Sequence, residues 1–85
     1  MVKKQKIGMI THFFPKISVA IVELTGSLKK GDKISIEGHD SAVEMTVESM
    51  QIEHSPVEKA KKGDAIGLKV IEPVKEKDVV YKVTE

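Results

Sequence analysis

Three consecutive residues, His39-Asp40-Ser41, have the side-chain types of a serine hydrolase triad. A working triad brings a nucleophile, a base and an orienting carboxylate from separate elements into strict mutual geometry. Here the three are adjacent and follow Gly38, so a hairpin turn is the better interpretation. Most other carboxylates alternate with apolar residues, which is typical of a solvated sheet face and indicates no acid–base pair. We therefore expect no catalytic residue.

Metal and cofactor sites are not indicated either. His12, His39 and His54 lack the three- or four-residue spacing of helical metal sites, and the chain contains no Cys. Glu53 and Glu58 near His54 are better explained as solvated loop residues. Neither G-x-x-x-x-G-K-[ST] nor G-x-G-x-x-G occurs, so we expect no bound nucleotide and no other cofactor.

The lysines and glycines carry a stronger signal. The tetrapeptide Lys-Lys-Gly-Asp occurs at 29–32 and at 61–64, and each copy opens an apolar-rich run. Glycine tolerates positive φ and Asp can bond its own backbone, so the repeat predicts two equivalent turns that lead into strands. Lysines gathered on one rim would suit a phosphate backbone, whereas the alternative is solubility and protection of strand edges. The candidate contact lysines are Lys29, Lys30, Lys61 and Lys62.

Composition narrows the possible partners. All 14 basic residues are Lys, against 13 acidic residues, and the absence of Arg argues against sequence-specific DNA recognition. Abundant Lys and Glu with few thermolabile residues suggest a thermophilic source. No apolar stretch approaches the length of a membrane span. The apolar run near the N-terminus is too short for a signal-peptide core, so we expect a cytoplasmic location.

The pattern of Val, Ile and Thr between turn signals predicts one all-β domain over residues 1–85, as a barrel or sandwich of six strands. In the fourth run the apolar phase slips near residues 48 and 49, as a β-bulge would produce. Residues 55–60 resemble a single helical turn, with Ser55 as its cap and Pro56 at its first position. A helix over 43–62 is the weaker alternative, because it would enclose Pro56. The predicted strands are 6–14, 16–25, 32–37, 42–53, 64–72 and 79–84.

Apolar side chains also point to a contact surface. Residues 17–24 are apolar on both strand faces, so this strand is central or covered from outside. Phe13 and Phe14 are adjacent and must point to opposite faces. Phe14 is therefore a candidate contact residue, and the same face could join two copies of the chain.

Several motifs resemble the second domain of translational GTPases of the elongation factor Tu type. They are Gly8, Leu28-x-x-Gly31-Asp32-x-Ile34, residues 47–54 and Ala60-x-x-Gly63-Asp64-x-Ile66-Gly67-Leu68. The resemblance implies a closed, six-stranded antiparallel β-barrel of the translation-factor domain 2 type. No GTPase domain accompanies it here, so nucleotide hydrolysis is not implied. The family's acidic residue that contacts the tRNA acceptor end corresponds to Gln51.

Residues 11–20 and 48–54 are also similar to small free-standing elongation factor-like proteins and to the C-terminal barrel of collagenase-like peptidases linked to RNA hydroxylation. Both resemblances imply an accessory module. The prediction is a non-catalytic elongation factor-like module that binds RNA or a ribosomal or translation protein. The alternative is a protein–protein accessory domain for a separate collagenase-like peptidase or RNA-modifying enzyme. The candidate contact residues are Lys29, Lys30, Lys61, Lys62, Phe14 and Gln51.

Overall fold

The computed structural model describes residues 3–38, 42–53 and 55–84. Within those residues the chain forms ten strands, every pair of which is antiparallel. The all-β, antiparallel class predicted from the sequence is therefore confirmed. The strands are β1 Lys3–Phe14, β2 Val19–Leu24, β3 Leu28–Lys29, β4 Lys33–Glu37, β5 Ala42–Thr46, β6 Met50–Ile52, β7 Ser55–Val57, β8 Lys59–Ala60, β9 Ala65–Lys69 and β10 Val79–Thr84.

Eight strands form one sheet in the order β5-β4-β10-β1-β2-β9-β6-β7, and β3 pairs with β8 in a separate two-stranded sheet. The long strand β1 is central and is bulged twice, between Lys6 and Gly8 and between Ile10 and His12. Among the described residues, the edge strands β5 and β7 are not paired with each other. Closure into a barrel therefore stays a prediction.

The alternation of side chains along the strands explains the core. In β2, Ala20, Val22 and Leu24 are buried whereas Glu23 is exposed, as expected for a strand with one face against the interior. The other large buried side chains come from most of the remaining strands, so the core is shared by the whole sheet. They include Ile7, Ile10, Leu28, Ile34, Ile36, Met50, Ile66, Leu68 and Val80.

Two details of the predicted strands are corrected. The phase slip near residues 48 and 49 is real, because both are exposed between buried Val47 and Met50. It does not form a bulge inside one strand, however, since strand structure stops after Thr46 and resumes at Met50. The predicted fourth strand is thus two strands, and the helix alternative over 43–62 is wrong.

The helical turn predicted over residues 55–60 is also wrong, because this segment forms β7 and β8. Pro56 lies opposite Gln51 in β7, which is an edge strand of the large sheet. An edge strand needs no N–H on its outer side, so it tolerates proline where a central strand would not. The described residues include no helix of a length and apolarity that would cross a membrane.

The first Lys-Lys-Gly-Asp segment forms the predicted turn. The Lys29 N–H donates to the Asp32 carboxylate at 3.0 Å, and the Asp32 N–H donates to the Lys29 carbonyl at 3.1 Å. Gly31 has a φ of 96°, and its N–H donates to the carbonyl of buried Val47, whose N–H donates to the Asp32 carbonyl. The same bonds in the second segment join Lys61, Gly63, Asp64 and Leu24.

A third turn of the same kind was not predicted. The Lys75 N–H donates to the Asp78 carboxylate at 2.9 Å, and Lys77 occupies the positive-φ position at 74°. The Lys77 N–H donates to the Ile10 carbonyl, and the Ile10 N–H donates to the Asp78 carbonyl. In each turn the Asp carboxylate is therefore bonded to the turn's own backbone, and the turn is also hydrogen-bonded to a buried residue distant in the sequence: Val47, Leu24 or Ile10.

Candidate partner-binding surfaces

A basic hollow lies over the two-stranded sheet. It has a volume of about 590 Å³, and its floor is apolar, because buried Leu28 and buried Ala60 pair there. Lysine side chains from β3, β8, the second turn and β10 surround this floor. We call it the lysine hollow; its lining residues are Ser27, Leu28, Lys29, Lys59, Ala60, Lys61, Asp64 and Lys82.

The charges of the lysine hollow are only partly balanced. Lys82 Nζ lies 3.3 Å from Asp32 Oδ2, so this ammonium has a partner. Within the described part of the chain, Lys29, Lys59 and Lys61 have no carboxylate in salt-bridge range. Their three ammonium groups are therefore available to an anionic partner.

The structure divides the four predicted contact lysines into two pairs. Lys29 and Lys61 both line the lysine hollow, although they are 32 positions apart in the sequence. Lys30 is not part of its lining and lies in an adjoining depression, which it lines together with Lys29, Glu58 and Lys59. Lys62 is exposed and is absent from the lining of either hollow. Lys59, which precedes the second turn, and Lys82 complete the hollow but were not among the four predicted contact residues. Lys82 lies in β10, so only the strand pairing could place it there.

A second, apolar depression lies on the outer face of β2. It measures about 240 Å³, and two large apolar side chains at its margin are exposed, Phe14 by 48% and Ile17 by 57%. Half-buried Val19 and Ile21 form its wall. We call it the apolar groove; its lining residues are Phe14, Ile17, Val19, Ile21, Gln51, Glu53, Ala65, Ile66 and Gly67.

Strand pairing explains why Gln51 and Phe14 meet in this groove. Gln51 lies opposite Gly67, which lies opposite Ile21 on its other side, and Phe14 lies opposite Val19. Gly67 has no side chain, so the surface between Gln51 and Ile21 stays open. The predicted contact residues Phe14 and Gln51 are therefore neighbours on one surface, while the lysines line another.

Ile17 was predicted only as the first residue of the apolar strand 17–24 and not as a contact residue of its own. It lies in the turn at residues 15–18, where Ser18 has a φ of 54°. Lys69 Nζ donates to the Ile17 carbonyl at 2.9 Å, and the Val70 N–H donates to the Ser18 carbonyl at 2.9 Å. These bonds hold the turn so that the Ile17 side chain projects beside the groove. By contrast, Phe13 points inward and packs on the core.

The residues considered for catalysis or metal binding do not form a site that can be described. His39, Asp40, Ser41 and His54 lie outside the described residues. His12 Nδ1 lies 3.7 Å from Glu76 Oε1, and both side chains are largely exposed. The described residues contain no cluster of three or more His, Cys, Asp or Glu that could hold a metal ion.

A single ion pair shifts pKa values within the described residues. Lys4 Nζ donates to Glu37 Oε2 at 2.6 Å, and the buried Ser35 hydroxyl donates to the same oxygen at 3.0 Å. The hydrogen bond from Lys4, followed by that from Ser35, lowers the pKa of the Glu37 carboxyl, and the bond to Glu37 raises the pKa of Lys4. This pair connects β1 with β4 away from both surfaces, so it is structural.

The chain is similar in sequence to segments of two larger proteins whose names describe them as a protease and a collagenase. The chain is 46% identical over 84 residues to an uncharacterized protease of Methanocaldococcus jannaschii, a match covering 98% of this chain and 21% of that protein. It is 35% identical over 82 residues to a collagenase of Porphyromonas gingivalis, covering 94% of this chain and 23% of the collagenase. The chain thus spans about a fifth of the length of these relatives. No family model matches it.

Solved structures show the same fold. The C-terminal domain of a Geobacillus thermoleovorans protein classed as a U32 peptidase superposes with a TM-score of 0.86, at 17% identity, covering 92% of this chain and 91% of that domain. Its selenomethionine variant gives 0.85 at 16% identity, covering 89% and 96%.

These matches correct the predicted function. The resemblance to collagenase-like peptidases is confirmed, whereas the elongation factor-like and RNA-binding assignments are wrong. The most specific part of the translation-factor resemblance was the pair of Gly-Asp turns. Their glycines satisfy a backbone conformation and their carboxylates bind their own turn, so both are explained by the fold without any function.

Proposed function

We propose that the chain is a non-catalytic accessory domain that binds the catalytic part of a collagenase-like peptidase through its apolar groove. The observation that carries the proposal is the exposure of Phe14 and Ile17 beside the half-buried wall formed by Val19 and Ile21. Exposed aromatic and aliphatic side chains beside a depression are typical of the centre of a protein–protein interface.

We infer the kind of partner from the small share of each relative that matches this chain. Their matching segments account for about a fifth of each protein, so most of each relative lies outside this fold. A domain of this kind needs about 800 Å² of contact surface for a stable interface, and exposed apolar side chains supply its core. The catalytic part of such a peptidase is therefore the occupant we assign to the groove.

A binding titration tests the proposal. The partner is the Methanocaldococcus jannaschii relative without its matching segment, used after a cooperative thermal melt has shown that it is folded. We expect saturable binding to this chain by calorimetry. Phe14→Ser and Ile17→Ser should each weaken it by about tenfold or more, because truncation of an apolar anchor at an interface centre commonly costs that much.

Met9→Ser is the matched control. Met9 is an exposed apolar residue of the same strand as Phe14, 38% exposed, but it lies outside the apolar groove. Its substitution should change the affinity by no more than about twofold. No binding to the folded partner, or equal losses in Met9→Ser and Phe14→Ser, would contradict the proposal. Dimerisation of the chain alone that Phe14→Ser abolishes would identify the groove as a self-association surface instead.

We also propose that the strands close into the barrel expected from the sequence. The Lys30 N–H donates to the Glu58 carbonyl at 2.7 Å, and the Gly31 N–H donates to the Val47 carbonyl at 2.8 Å. Residues that follow β3 thus reach residues that follow both edge strands, β7 and β5. In a closed barrel all the amides of β5 should exchange slowly with solvent, whereas an open edge would leave alternate amides in fast exchange.

A further inference from the structure

We propose that the lysine hollow binds an acidic peptide segment of the same partner. This inference rests on the proposed function and adds a second contact to it, of different chemistry. Asp64 lines the hollow and Ala65, the next residue, lines the apolar groove, so the two depressions adjoin along the chain at this point. A partner seated on the groove would have its neighbouring segment beside the lysines.

The charge distribution selects an anionic segment. Three ammonium groups surround the hollow without a carboxylate in range among the described residues, while the fourth, Lys82, is held by Asp32. The carboxylates of Asp32 and Asp64 accept backbone N–H groups within their own turns, and neither lies in salt-bridge range of the ammonium groups of Lys29, Lys59 and Lys61. The ammonium groups of Lys29, Lys59 and Lys61 come from β3, β8 and the second turn. Because they lie on three separate elements, a short peptide with several carboxylates suits them better than a single small anion.

The same turns argue against a phosphate site. Phosphate is usually held by free backbone N–H groups in a nest or by the planar fork of Arg. Here the N–H groups of Lys29, Gly31 and Asp32 are already bonded to groups of the protein, and the second turn repeats this arrangement. The chain has no Arg. Flexible ammonium groups around an apolar floor suit several spaced carboxylates with aliphatic stems, as in a Glu-rich segment.

The test uses the isolated chain and two synthetic probes, a hexaglutamate peptide and an uncharged hexaglutamine peptide. We expect hexaglutamate to cause saturable amide shifts at residues 28–29 and 59–61, and we expect the shifts to vanish as NaCl rises from about 20 mM to about 300 mM. Hexaglutamine should cause none. The absence of shifts with hexaglutamate at low salt would overturn the inference.

Two double variants supply a matched comparison. Lys29→Ser/Lys61→Ser removes two lysines of the hollow, whereas Lys30→Ser/Lys62→Ser removes their immediate neighbours in the same turns and changes the net charge equally. The first should bind hexaglutamate about three- to tenfold more weakly, and the second should stay within about twofold of the wild type. Equal losses would show general charge attraction and would overturn the inference.

Inorganic phosphate separates the two anion classes. If phosphate displaces hexaglutamate at similar concentrations and shifts the same amides, the hollow is a simple anion site and the assignment of a peptide is wrong. These measurements use the chain without its catalytic partner. Their failure would leave the binding through Phe14 and Ile17 to be judged by its own titration, so the two proposals fail separately.

Discussion

The positive-φ position of the three turns predicts two substitutions with opposite effects on stability. Gly63 has a φ of 94°, and a Cβ built there would meet no neighbouring atom within 4 Å, so Gly63→Ala adds backbone strain without a clash. A left-handed L-residue costs about 1–2 kcal/mol. Lys77 occupies the equivalent position at 74° and already bears this cost, so Lys77→Gly removes it.

The conformational entropy of the unfolded chain reduces the stability change expected from each substitution. Glycine lowers stability by about 0.4–1 kcal/mol through its unfolded-state entropy. The net expectation is about 0.8 kcal/mol in each case, within a range of about 0–1.6 kcal/mol, as a loss for Gly63→Ala and as a gain for Lys77→Gly. Gly67→Ala is the control for the first, because its Cβ would stay at least 3.4 Å from its neighbours and its φ is not positive. Lys62→Gly controls the second, since Lys62 precedes the positive-φ residue.

Chemical denaturation followed by circular dichroism measures these differences. With a denaturant slope of roughly 2 kcal/mol per molar in guanidinium chloride, a change of about 1 kcal/mol moves the midpoint by about half a molar. Lys77→Gly should unfold at a higher concentration than Lys62→Gly, and Gly63→Ala at a lower one than Gly67→Ala. If Lys77→Gly unfolds no later than Lys62→Gly, the third turn is not equivalent to the other two.

Two further predictions concern the central strand β1. Gly8→Ala should destabilise the chain by about 1–3 kcal/mol, because its Cβ would lie 2.7 Å from Val22 Cγ1 and 2.9 Å from the Glu23 carbonyl oxygen; an unchanged melting temperature would contradict this. The lowered pKa of Glu37 means that its pairing stabilises the fold above the ordinary value of 4.5 and that this contribution is lost as the pH falls through the lowered pKa. Lys4→Ser should raise the Glu37 pKa towards 4.5 in a carboxyl-carbon NMR titration, and no rise would show that Lys4 is not the cause.

Local structure could be predicted from the sequence where a residue type itself indicates a particular backbone conformation. Gly31 and Gly63, each followed by Asp, predicted two turns, and the structure contains both turns. The third turn gave no such signal, because Lys77 stands where glycine would mark positive φ. All three turns share only the pattern Lys-x-x-Asp, with the Asp shortly before an apolar strand. Similarly, Pro56 after Ser55 fits a helix start and an edge strand equally well, and the sheet order decides between them.

The surfaces depend on long-range pairing, which local patterns do not contain. The pairing of Leu28 with Ala60 sets Lys29 opposite Lys59 across the small sheet. It thereby separates the predicted lysines into those inside and those outside the hollow. The meeting of Phe14 with Gln51 needs the order β1-β2-β9-β6, of which the sequence showed only the separate strands. Candidate residues were therefore predictable by type, but their grouping was not.

The most direct measurement of the central claim is an NMR titration of the isotopically labelled chain with the unlabelled Methanocaldococcus jannaschii relative, used without its matching segment. We expect saturable shifts concentrated in the segments 14–21, 51–53 and 65–67, which contribute all the side chains and backbone that line the apolar groove. Shifts confined to β4 and β10, or none with an excess of folded partner, would contradict an accessory domain that binds through this groove.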